Sequence, residues 1–259
     1  FFSTLSYTYD RRYTIYGSIR YDGSDLFGVD PKYKYLPIYS VSGAWNVKEE
    51  QFLEKAKWLS GLRVRGSYGV QGNIDKNTSP FIVGEYDKVS ILPGSNETNI
   101  IVTSPPNDKL RWEKTSTFNA GLDLGVFNNA IQVTLDYYDR NSKDLIGLQD
   151  LSYENGFEFT NSNFARVNNK GLELSISTRN ISTNKFNWST DFNIAHNKSK
   201  VLSEKVRDNQ YTASREGYPV SALFVLKTAG LDKNGLPLFV QKNGEAVSLE
   251  TFYKLFDPW

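Results

Sequence analysis

The chain of 259 residues contains no cysteine and no methionine, and His196 is its single histidine. Without cysteine it can form neither disulfide bonds nor thiolate metal sites, and cysteine catalysis is excluded. One histidine leaves little basis for a histidine metal site or a serine–histidine triad. Neither Gly-x-Ser-x-Gly nor a phosphate-binding glycine loop occurs. We therefore predict that the protein is not an enzyme and binds no cofactor or metal.

An excess of one charge and a long apolar run are also missing. Thirty basic residues balance 29 acidic ones, which argues against a nucleic-acid partner. The longest apolar run, Ala222–Leu226, is far shorter than the roughly 20 residues of a membrane-spanning helix. The chain opens on Phe1-Phe2 without a signal peptide, and together with the missing methionine this predicts a processed chain or a piece of a longer one.

Aromatic residues are abundant, with 16 Tyr, 16 Phe and 5 Trp in a polar background. This composition is typical of transmembrane β-barrels, whose strands show one face to lipid and the other to water. A soluble β-sandwich has a similar composition, so the choice depends on the periodicity of the sequence.

Alternation of apolar and polar residues predicts eight strands. Between Leu62 and Val70 one parity is apolar and the other carries Arg63 and Arg65. Segments of about 8–12 residues are long enough to cross a bilayer at about 45° tilt. Lys48–Trp58 alone has a helical pattern, and it lies within a connection. The predicted strands are centred on residues 5–9, 13–19, 39–45, 62–70, 114–126, 131–140, 172–179 and 186–196.

The clearest hairpin surrounds residues 127–130. Asn128-Asn129 can adopt the positive φ angles of a tight turn. Pairing Phe127 with Ala130 puts the aliphatic residues on one face, and a slip by one residue would mix the two faces. The predicted pairs include Val126–Ile131, Leu124–Val133, Leu122–Leu135 and Ala120–Tyr137 on one face, and Asp123–Thr134, Gly121–Asp136 and Thr117–Arg140 on the other.

Connection lengths alternate along the chain. A soluble sandwich has no reason to sort its loops in this way, whereas outer-membrane barrels have short periplasmic turns and long extracellular loops. We therefore predict an all-β fold, an antiparallel transmembrane β-barrel segment. The short connections are 10–12, 127–130 and 180–185, the intermediate one is 46–61, and the long ones are 22–36, 71–112 and 141–165.

Two domains are expected, with barrel strands in 1–196 and an extracellular excursion in 197–259. Strand parity makes 186–196 run outward, so the chain leaves the barrel on the extracellular side. Asn-Gly pairs at 234–235 and 243–244 predict small hairpins there. The last segment, from Phe252 to Trp259, is not expected to be a closing strand.

Parity also assigns side chains to the two faces of the predicted barrel. Leu122, Leu124, Val133, Leu135, Leu174, Ile176, Phe192 and Ile194 are expected to face lipid. Charges of the opposite parity are expected on the lumen side, paired or hydrated: Arg63, Arg65, Asp123, Asp136, Arg140, Glu173, Arg179 and Asp191. Asp123 is expected to pair with Arg63 or Arg65. His196 is interpreted as a structural residue at the membrane interface.

Aromatic residues near strand ends have two interpretations. Tyr13, Trp45, Tyr68 and Tyr137 have outward parity and are read as an interfacial girdle. Aromatics in or beside the long loops can either pack the loops or contact a ligand; these are Phe27, Tyr33, Tyr35, Trp112 and Tyr153.

Several ordered segments share a family pattern. They are Ser18–Gly28, Leu36–Trp45, Leu59–Asn73, Leu110–Lys114, Asp136–Leu145 and Asn168–Glu173, with Glu216–Pro219 and Gly230–Phe239 beyond them. Their order and spacing resemble the barrel of SusC/RagA-type TonB-linked outer-membrane transporters over nearly the whole chain.

The resemblance implies a 22-stranded barrel around a plug in a Gram-negative outer membrane, so contact with the plug is a third alternative for the lumen-side charges. It also implies import of oligosaccharides or peptides, energised by the TonB complex through N-terminal regions and assisted by a SusD-like surface lipoprotein. The chain is expected to be a fragment without plug, TonB box or closing strands. The implied contacts with the lipoprotein lid are Tyr218, Phe224, Phe239 and Tyr253. The alternative is a soluble β-rich glycan-binding or surface protein without a transport role.

Overall fold

The computed structural model describes residues 1–26, 31–89, 96–205, 213–241 and 243–254, without the side chains of 31, 32 and 252–254. The chain divides into two compact units, Phe1–Val220 and Ser221–Trp259.

An eight-stranded antiparallel sheet dominates the first unit, in the order β1-β2-β3-β4-β7-β8-β9-β10. Each strand pairs with the next one along the chain, except that the separate hairpin β5–β6 is inserted between β4 and β7. The strands of the sheet are β1 Phe2–Tyr9, β2 Tyr13–Gly23, β3 Tyr35–Asn46, β4 Leu59–Asn73, β7 Glu113–Val126, β8 Ile131–Asp150, β9 Phe159–Ser182 and β10 Asn187–Ser203; the inserted ones are β5 Val83–Val89 and β6 Glu97–Ser104. All eight predicted strands are confirmed.

The hairpin around residues 127–130 has the predicted register. Val126 pairs with Ile131, and the pairing continues without a shift to Lys114 and Lys143. Phe127, Asn128 and Asn129 have φ angles of 53°, 56° and 58°, which Asn adopts more readily than other residues with a side chain. The predicted pairing is therefore confirmed.

The predicted helix at 48–58 is wrong. The chain forms two 3₁₀ turns, Val47–Glu49 and Gln51–Leu53, separated by Glu50 in an extended conformation (φ −81°, ψ 144°). The Glu50 carboxylate accepts hydrogen bonds from Tyr13 and Trp45, and this contact with β2 and β3 competes with a continuous helix.

Two long connections contain more strand than the sequence suggested. Residues 71–112 include the β5–β6 hairpin, and most of 141–165 extends β8 and β9. In β8 the register shifts between Ser142 and Ile146, and Asp144 has a φ of 58°. This irregularity hides the strand because it interrupts the two-residue period.

Strand β10 continues to Ser203, so the expected boundary at 196/197 falls within a strand. Residues 213–220 then follow its free edge, where the Val201 amide donates to Tyr218 O at 2.8 Å. A short helix, α1, occupies Pro31–Lys34.

The second unit contains a three-stranded antiparallel sheet and a short helix. The strands are β11 Thr228–Leu231, β12 Pro237–Val240 and β13 Ala246–Ser248, followed by α2 Leu249–Lys254. Gly235 and Gly244 have φ angles of 81° and 89° in the two turns. The Asn-Gly hairpins are thus confirmed.

Buried apolar side chains of the described residues lie near the two ends of the strands in the large sheet. Val47, Leu59 and Val126 are buried near the short turns, whereas Leu36, Leu110 and Trp112 are buried near the long connections. The faces between these ends carry many exposed aromatic and aliphatic residues. The sheet therefore holds together through its ladder of hydrogen bonds rather than through an apolar core of its own.

Candidate functional site

The eight charged residues of the predicted polar parity share one face of the sheet. Arg63 lies opposite Asp123, and Asp136 lies opposite Glu173. Side chains alternate between faces along a strand, so the two-residue spacing extends this face to the remaining charges. The full set is Arg63, Arg65, Asp123, Asp136, Arg140, Glu173, Arg179 and Asp191.

Arg65 connects two carboxylates on the polar face. Its Nε lies 3.0 Å from Asp123 Oδ2, and its Nη2 lies 2.8 Å from Asp136 Oδ1. The Thr134 hydroxyl donates to Asp123 Oδ1 at 3.2 Å. About a third of each charged side chain remains exposed, so these charges are paired without being buried. The expected pair between Asp123 and an arginine of β4 is confirmed.

Other members of the set also have polar or aromatic neighbours. Arg179 Nη2 donates to the Asn128 carbonyl at 3.2 Å, and Asp191 accepts from the Ser177 hydroxyl. The Arg140 guanidinium lies 5.9 Å from the centre of its neighbour Tyr138's ring. The polar face thus presents hydrogen-bonding groups over most of its width.

Glu50, in the intermediate connection 46–61, contacts the first short turn of the large sheet and the strands beside it. Its carboxylate accepts from Tyr13 Oη at 2.5 Å, from Trp45 Nε1 at 3.0 Å and from Arg12 Nη1 at 3.1 Å. These donors, chiefly the Tyr13 hydroxyl, hold the pKa of Glu50 below its ordinary value. The Tyr13 and Trp45 rings stack with their centres 6.3 Å apart.

Trp112 is a packing residue at the opposite edge. It is 8% exposed, beside Leu110 at 1%, and its indole Nε1 donates to the Lys34 carbonyl at 3.2 Å. A Cβ placed on Gly72 would lie 3.0 Å from the Trp112 ring and 2.2 Å from Leu36. The ring therefore fills the space above a glycine, and its buried face cannot stack on a ligand.

Arg111 and Asn163 fasten the connection after β6 to strand β9. Arg111 N donates to Asn163 Oδ1 at 3.0 Å, and Asn163 Nδ2 donates to the carbonyls of Arg111 and Asp144 at 2.8 and 2.7 Å. Arg111 Nη2 lies 2.7 Å from Asp144 Oδ1, and the guanidinium lies 5.8 Å from the centre of the Tyr33 ring. The Arg111 guanidinium and the Asn163 side-chain amide thus hold Asp144 in its conformation with a positive φ.

The remaining loop aromatics have different surroundings. Tyr35 stacks on Tyr21 with ring centres 5.3 Å apart, and half-buried Tyr33 packs beside Arg111. Tyr153 is 89% exposed at the tip of the β8–β9 hairpin. Phe27 lies outside the described residues. Among the four expected ligand aromatics that the structure describes, Tyr153 thus has the most accessible ring.

A cavity of about 590 Å³ lies between the connection after β6 and the extended β8–β9 hairpin. Asn107 positions the connection, because its Nδ2 donates to the Asn161 carbonyl of β9 at 2.7 Å. The sequence did not indicate this site, since its wall depends on the unpredicted extension of both strands. The lining includes Pro105, Asn107, Gln149, Leu151, Phe157 and Ser162.

The expected lid contacts belong to two units. In the first unit, Tyr218 is half exposed beside the end of β10. In the second unit, Phe224 is 45% exposed and Phe239 on β12 is half-buried. The side chain of Tyr253 lies outside the described residues.

The opposite face of the large sheet is apolar across all eight strands. One cross-strand row is Tyr9, Tyr13, Trp45, Val64, Leu122, Leu135, Leu174 and Ile194. Its neighbour towards the short turns contains Leu62, Leu124, Val133, Ile176 and Phe192. A continuous apolar surface of this size on one face of a sheet marks contact with lipid or protein.

Among the described residues, charges appear on the apolar face only towards the long connections, in β7–β10, where Lys114 on β7 lies opposite Lys143 on β8. Asp139 lies opposite Lys170, whose Nζ is 3.0 Å from Asp139 Oδ2, and Lys170 lies opposite Lys198. Lys200 follows one step further along β10. His196 lies between Lys198 and the apolar Ile194 on the same parity.

Within the described ranges, no group of three or more His, Asp or Glu side chains could hold a metal ion. No helix among those residues is long and apolar enough to cross a membrane.

Sequence comparison identifies relatives along most of the chain. Residues 1–234 match the family described as "TonB dependent receptor-like, beta-barrel". TonB-dependent receptor P3 of Formosa agariphila is 32% identical over 219 residues, covering 84% of this chain and 22% of the relative. TonB-dependent receptor SusC of Bacteroides thetaiotaomicron is 29% identical, covering 94% of this chain and 26% of the relative. The chain thus spans about a quarter of their length.

Solved structures show the same similarity. The RagAB peptide transporter matches with a TM-score of 0.79 and 28% identity, over 95% of this chain and 28% of the transporter chain. The RagAB peptide importer in its open-open state matches with a TM-score of 0.81 and 27% identity, over 95% of this chain and 27% of that one. The chain belongs to the β-barrel family of TonB-dependent receptors, of SusC/RagA type, whose members are transport proteins of the Gram-negative outer membrane rather than enzymes.

Proposed function

We propose that this chain forms part of the wall of an outer-membrane importer for oligosaccharides or peptides. Its apolar face contacts lipid, its polar face lines the lumen, and the full-length protein works with a SusD-like surface lipoprotein and the TonB complex. The observation that carries the proposal concerns the band of apolar residues on one face of the large sheet, called the apolar band below. This band crosses the strands obliquely, parallel to the line of the short turns.

The short turns are staggered as barrel strands require. The first turn, around Arg11, lies two residues beyond Tyr9 of the shared row, whereas the turn at 183–186 lies about ten residues beyond Leu174. Eight residues of stagger correspond to about 26 Å along the strands, over about 29 Å across six strand spacings. The resulting tilt of about 40° agrees with the roughly 35–45° of transmembrane barrels.

The apolar band follows the same slope. On β2 it extends from Tyr13 away from the turns to Tyr21, whereas on β10 it extends from Ile194 towards the turns to Trp188. A band parallel to the line of turns is what a flat membrane imposes on tilted strands. A soluble partner would not require apolar band and turns to shift together.

The polar face suits a hydrated lumen. Arg65, Asp123 and Asp136 are paired while about a third of each side chain stays exposed, which avoids burying unpaired charge. We assign all eight charges of this face to the lumen. Substrate contacts are assigned to Tyr153 and to the cavity beside Asn107.

The partner and cargo are inferred by similarity. RagAB is named a peptide importer, and its structures match 95% of this chain. A surface lipoprotein is proposed to dock on the extracellular side, with Tyr218, Phe224 and Phe239 as contacts. Oligosaccharides remain the other class of cargo, because SusC is also a relative.

The topology can be tested by labelling, because this segment contains no cysteine. In cells carrying the full-length protein, Tyr153→Cys should react with an impermeant maleimide on intact cells, and Lys185→Cys only after the outer membrane is permeabilised. The parent protein provides the control for labelling elsewhere. The reverse pattern would refute the proposed orientation.

Transport is tested in the same cells. Deleting the full-length gene should abolish uptake of either labelled oligosaccharides or labelled peptides, and the parent gene should restore it. Unchanged uptake of both classes would refute the proposed cargo.

Tyr218→Ala with Phe224→Ala should reduce co-purification of a surface lipoprotein, while Lys185→Ala in the turn at the other end should not.

A further inference from the structure

The lysines on the apolar face of β9 and β10 form a cationic cluster at the edge of the apolar band. Lys170 and Lys198 are directly opposite each other, and Lys200 is the next residue of the same parity. All three are exposed, and Lys170 retains 52% of its side-chain exposure. The cluster is thus accessible on the same face as Leu174 and Ile194.

Like charges directly opposite each other destabilise a strand pair, so this arrangement has a cost. Asp139 offsets part of it, since its carboxylate lies 3.0 Å from Lys170 Nζ and accepts from Asn168 Nδ2 at 2.6 Å. One carboxylate against three ammonium groups leaves a charge of about +2. An anionic ligand would relieve the remaining repulsion.

The position of the cluster defines the ligand. On the same face of β9, Lys170 follows Leu174 and Leu172 in the direction of the long connections, and the apolar band ends there. Groups at this depth meet lipid headgroups, and lysine binds phosphate as a point charge. On the proposed topology this end of β9 and β10 reaches the outer leaflet.

We propose that Lys170, Lys198 and Lys200 bind the phosphate groups of a phosphorylated glycolipid headgroup, of the lipid A type, in the outer leaflet. The inference rests on the proposed membrane topology. Asp139 acts as a positioning residue that holds Lys170 beside Lys198.

The test uses the full-length protein purified in detergent, with bound lipid counted by native mass spectrometry. The probes are diphosphoryl lipid A, monophosphoryl lipid A, phosphatidylcholine and inorganic phosphate. The parent protein should prefer lipid A, with the diphosphoryl form bound more tightly than the monophosphoryl form. Lys198→Gln with Lys200→Gln should weaken diphosphoryl lipid A binding by roughly tenfold to thirtyfold.

Matched variants separate charge from structure. Lys198→Arg with Lys200→Arg should retain binding, and Lys185→Gln, in the turn at the far end of β10, should leave it unchanged. Heat-modifiable migration on gels reports whether each barrel is folded. If the double Gln variant does not fold, Lys200→Gln alone should still lower binding severalfold.

Three results would overturn the lipid site. The first is that folded Gln variants bind as much lipid A as the parent protein, and the second is that the parent shows no preference for lipid A over phosphatidylcholine. The third is that lipid A binding is lost only when inorganic phosphate competes for the site, and not when the lysines are replaced. Each is compatible with correct labelling of Tyr153→Cys and with uptake, so transport would stand. Absence of the parent protein from the outer-membrane fraction would overturn both proposals.

Discussion

Arg65 makes the ion pair with Asp123, and its Nε lies 3.0 Å from Asp123 Oδ2. The residue directly opposite Asp123 in the strand register is Arg63, two residues away on β4. The cause is Gly121, which faces Arg65 across the β4–β7 pair. A Cβ at Gly121 would lie 2.6 Å from Arg65 Cζ and 2.7 Å from Asp136 Oδ1. The missing side chain leaves the space in which one guanidinium reaches both carboxylates.

Replacing Gly121 should therefore break this pairing. We expect Gly121→Val to lower the melting temperature of the full-length protein by displacing Arg65. In an Arg65→Ala background the penalty of the same change should shrink by about 0.5–1 kcal/mol, the usual worth of a partly exposed ion pair. Gly17→Val is the matched control, because a Cβ there meets nothing within 4 Å. Equal penalties in both backgrounds would show that Gly121 does not act through Arg65.

Leu124 tests the assignment of the apolar face to lipid. Leu124→Arg would place a charge within the apolar band and should lower the free energy of unfolding in vesicles by about 2–4 kcal/mol. Gln132→Arg, on β8 and of polar parity, should cost well under about 1 kcal/mol, because it points into the hydrated face. Urea unfolding of the full-length protein in phosphatidylcholine vesicles measures both. Similar losses for the two variants would contradict the proposed assignment of faces.

The sequence predicted the strands whose two faces have different surroundings. The Val126–Ile131 register followed from one apolar and one polar parity, and it is confirmed. Hairpin β5–β6 was missed because its residues are largely exposed on both faces, so no alternation arises: Glu85 and Asp87 share one parity, and Tyr86 and Lys88 the other. The outer parts of β8 and β9 were missed because of the irregular pairing near Asp144.

The candidate site residues also divide into those whose contacts the sequence could predict and those whose contacts it could not. That Asp123 pairs with an arginine of β4 could be inferred from the register, but which arginine could not, since the choice depends on the space above Gly121. The burial of Trp112 depends on Leu36 and Gly72, which come from two other strands. A contact between three distant segments leaves no local pattern in the sequence.

Glu50 should make stability depend on acid. Its pKa is lowered on folding, chiefly by the Tyr13 hydroxyl and then by the Trp45 indole. A carboxylate of this kind adds stability that is complete above its unfolded pKa of about 4.3 and is lost as the pH falls through the lower folded value. We therefore expect the parent protein to melt above Glu50→Gln at pH 7, with the difference shrinking as the pH falls below about 4.3.

Comparison with Glu50→Gln cancels the titration of other carboxyl groups. The melting temperatures of both proteins in detergent, measured from pH 3 to pH 8, give the difference curve. Glu49→Gln, on the neighbouring residue, serves as control and should follow the parent at every pH. A difference that grows as the pH falls would have the wrong sign for a lowered pKa and would refute the role of Glu50.

Trp112 and Tyr153 separate a packing aromatic from a ligand-binding one. Trp112→Ala should destabilise the full-length protein by about 3–5 kcal/mol, because it opens a cavity beside Leu110 and Leu36. Trp112→Phe should cost less, chiefly the hydrogen bond to the Lys34 carbonyl, or about 1–2 kcal/mol. Tyr153→Ala, at an exposed tip, should leave the melting temperature within about 1 °C.

Uptake should respond in the opposite order once corrected for the amount of folded protein in the membrane. Tyr153→Ala should raise the substrate concentration for half-maximal uptake severalfold, because it removes an aromatic ring from the proposed substrate entrance. Trp112→Phe should leave that concentration unchanged, since its ring is turned into the sheet edge and only 8% of the residue is exposed. If Trp112→Phe shifted the uptake curve while melting like the parent, Trp112 would contact substrate and its assignment as a packing residue would be wrong.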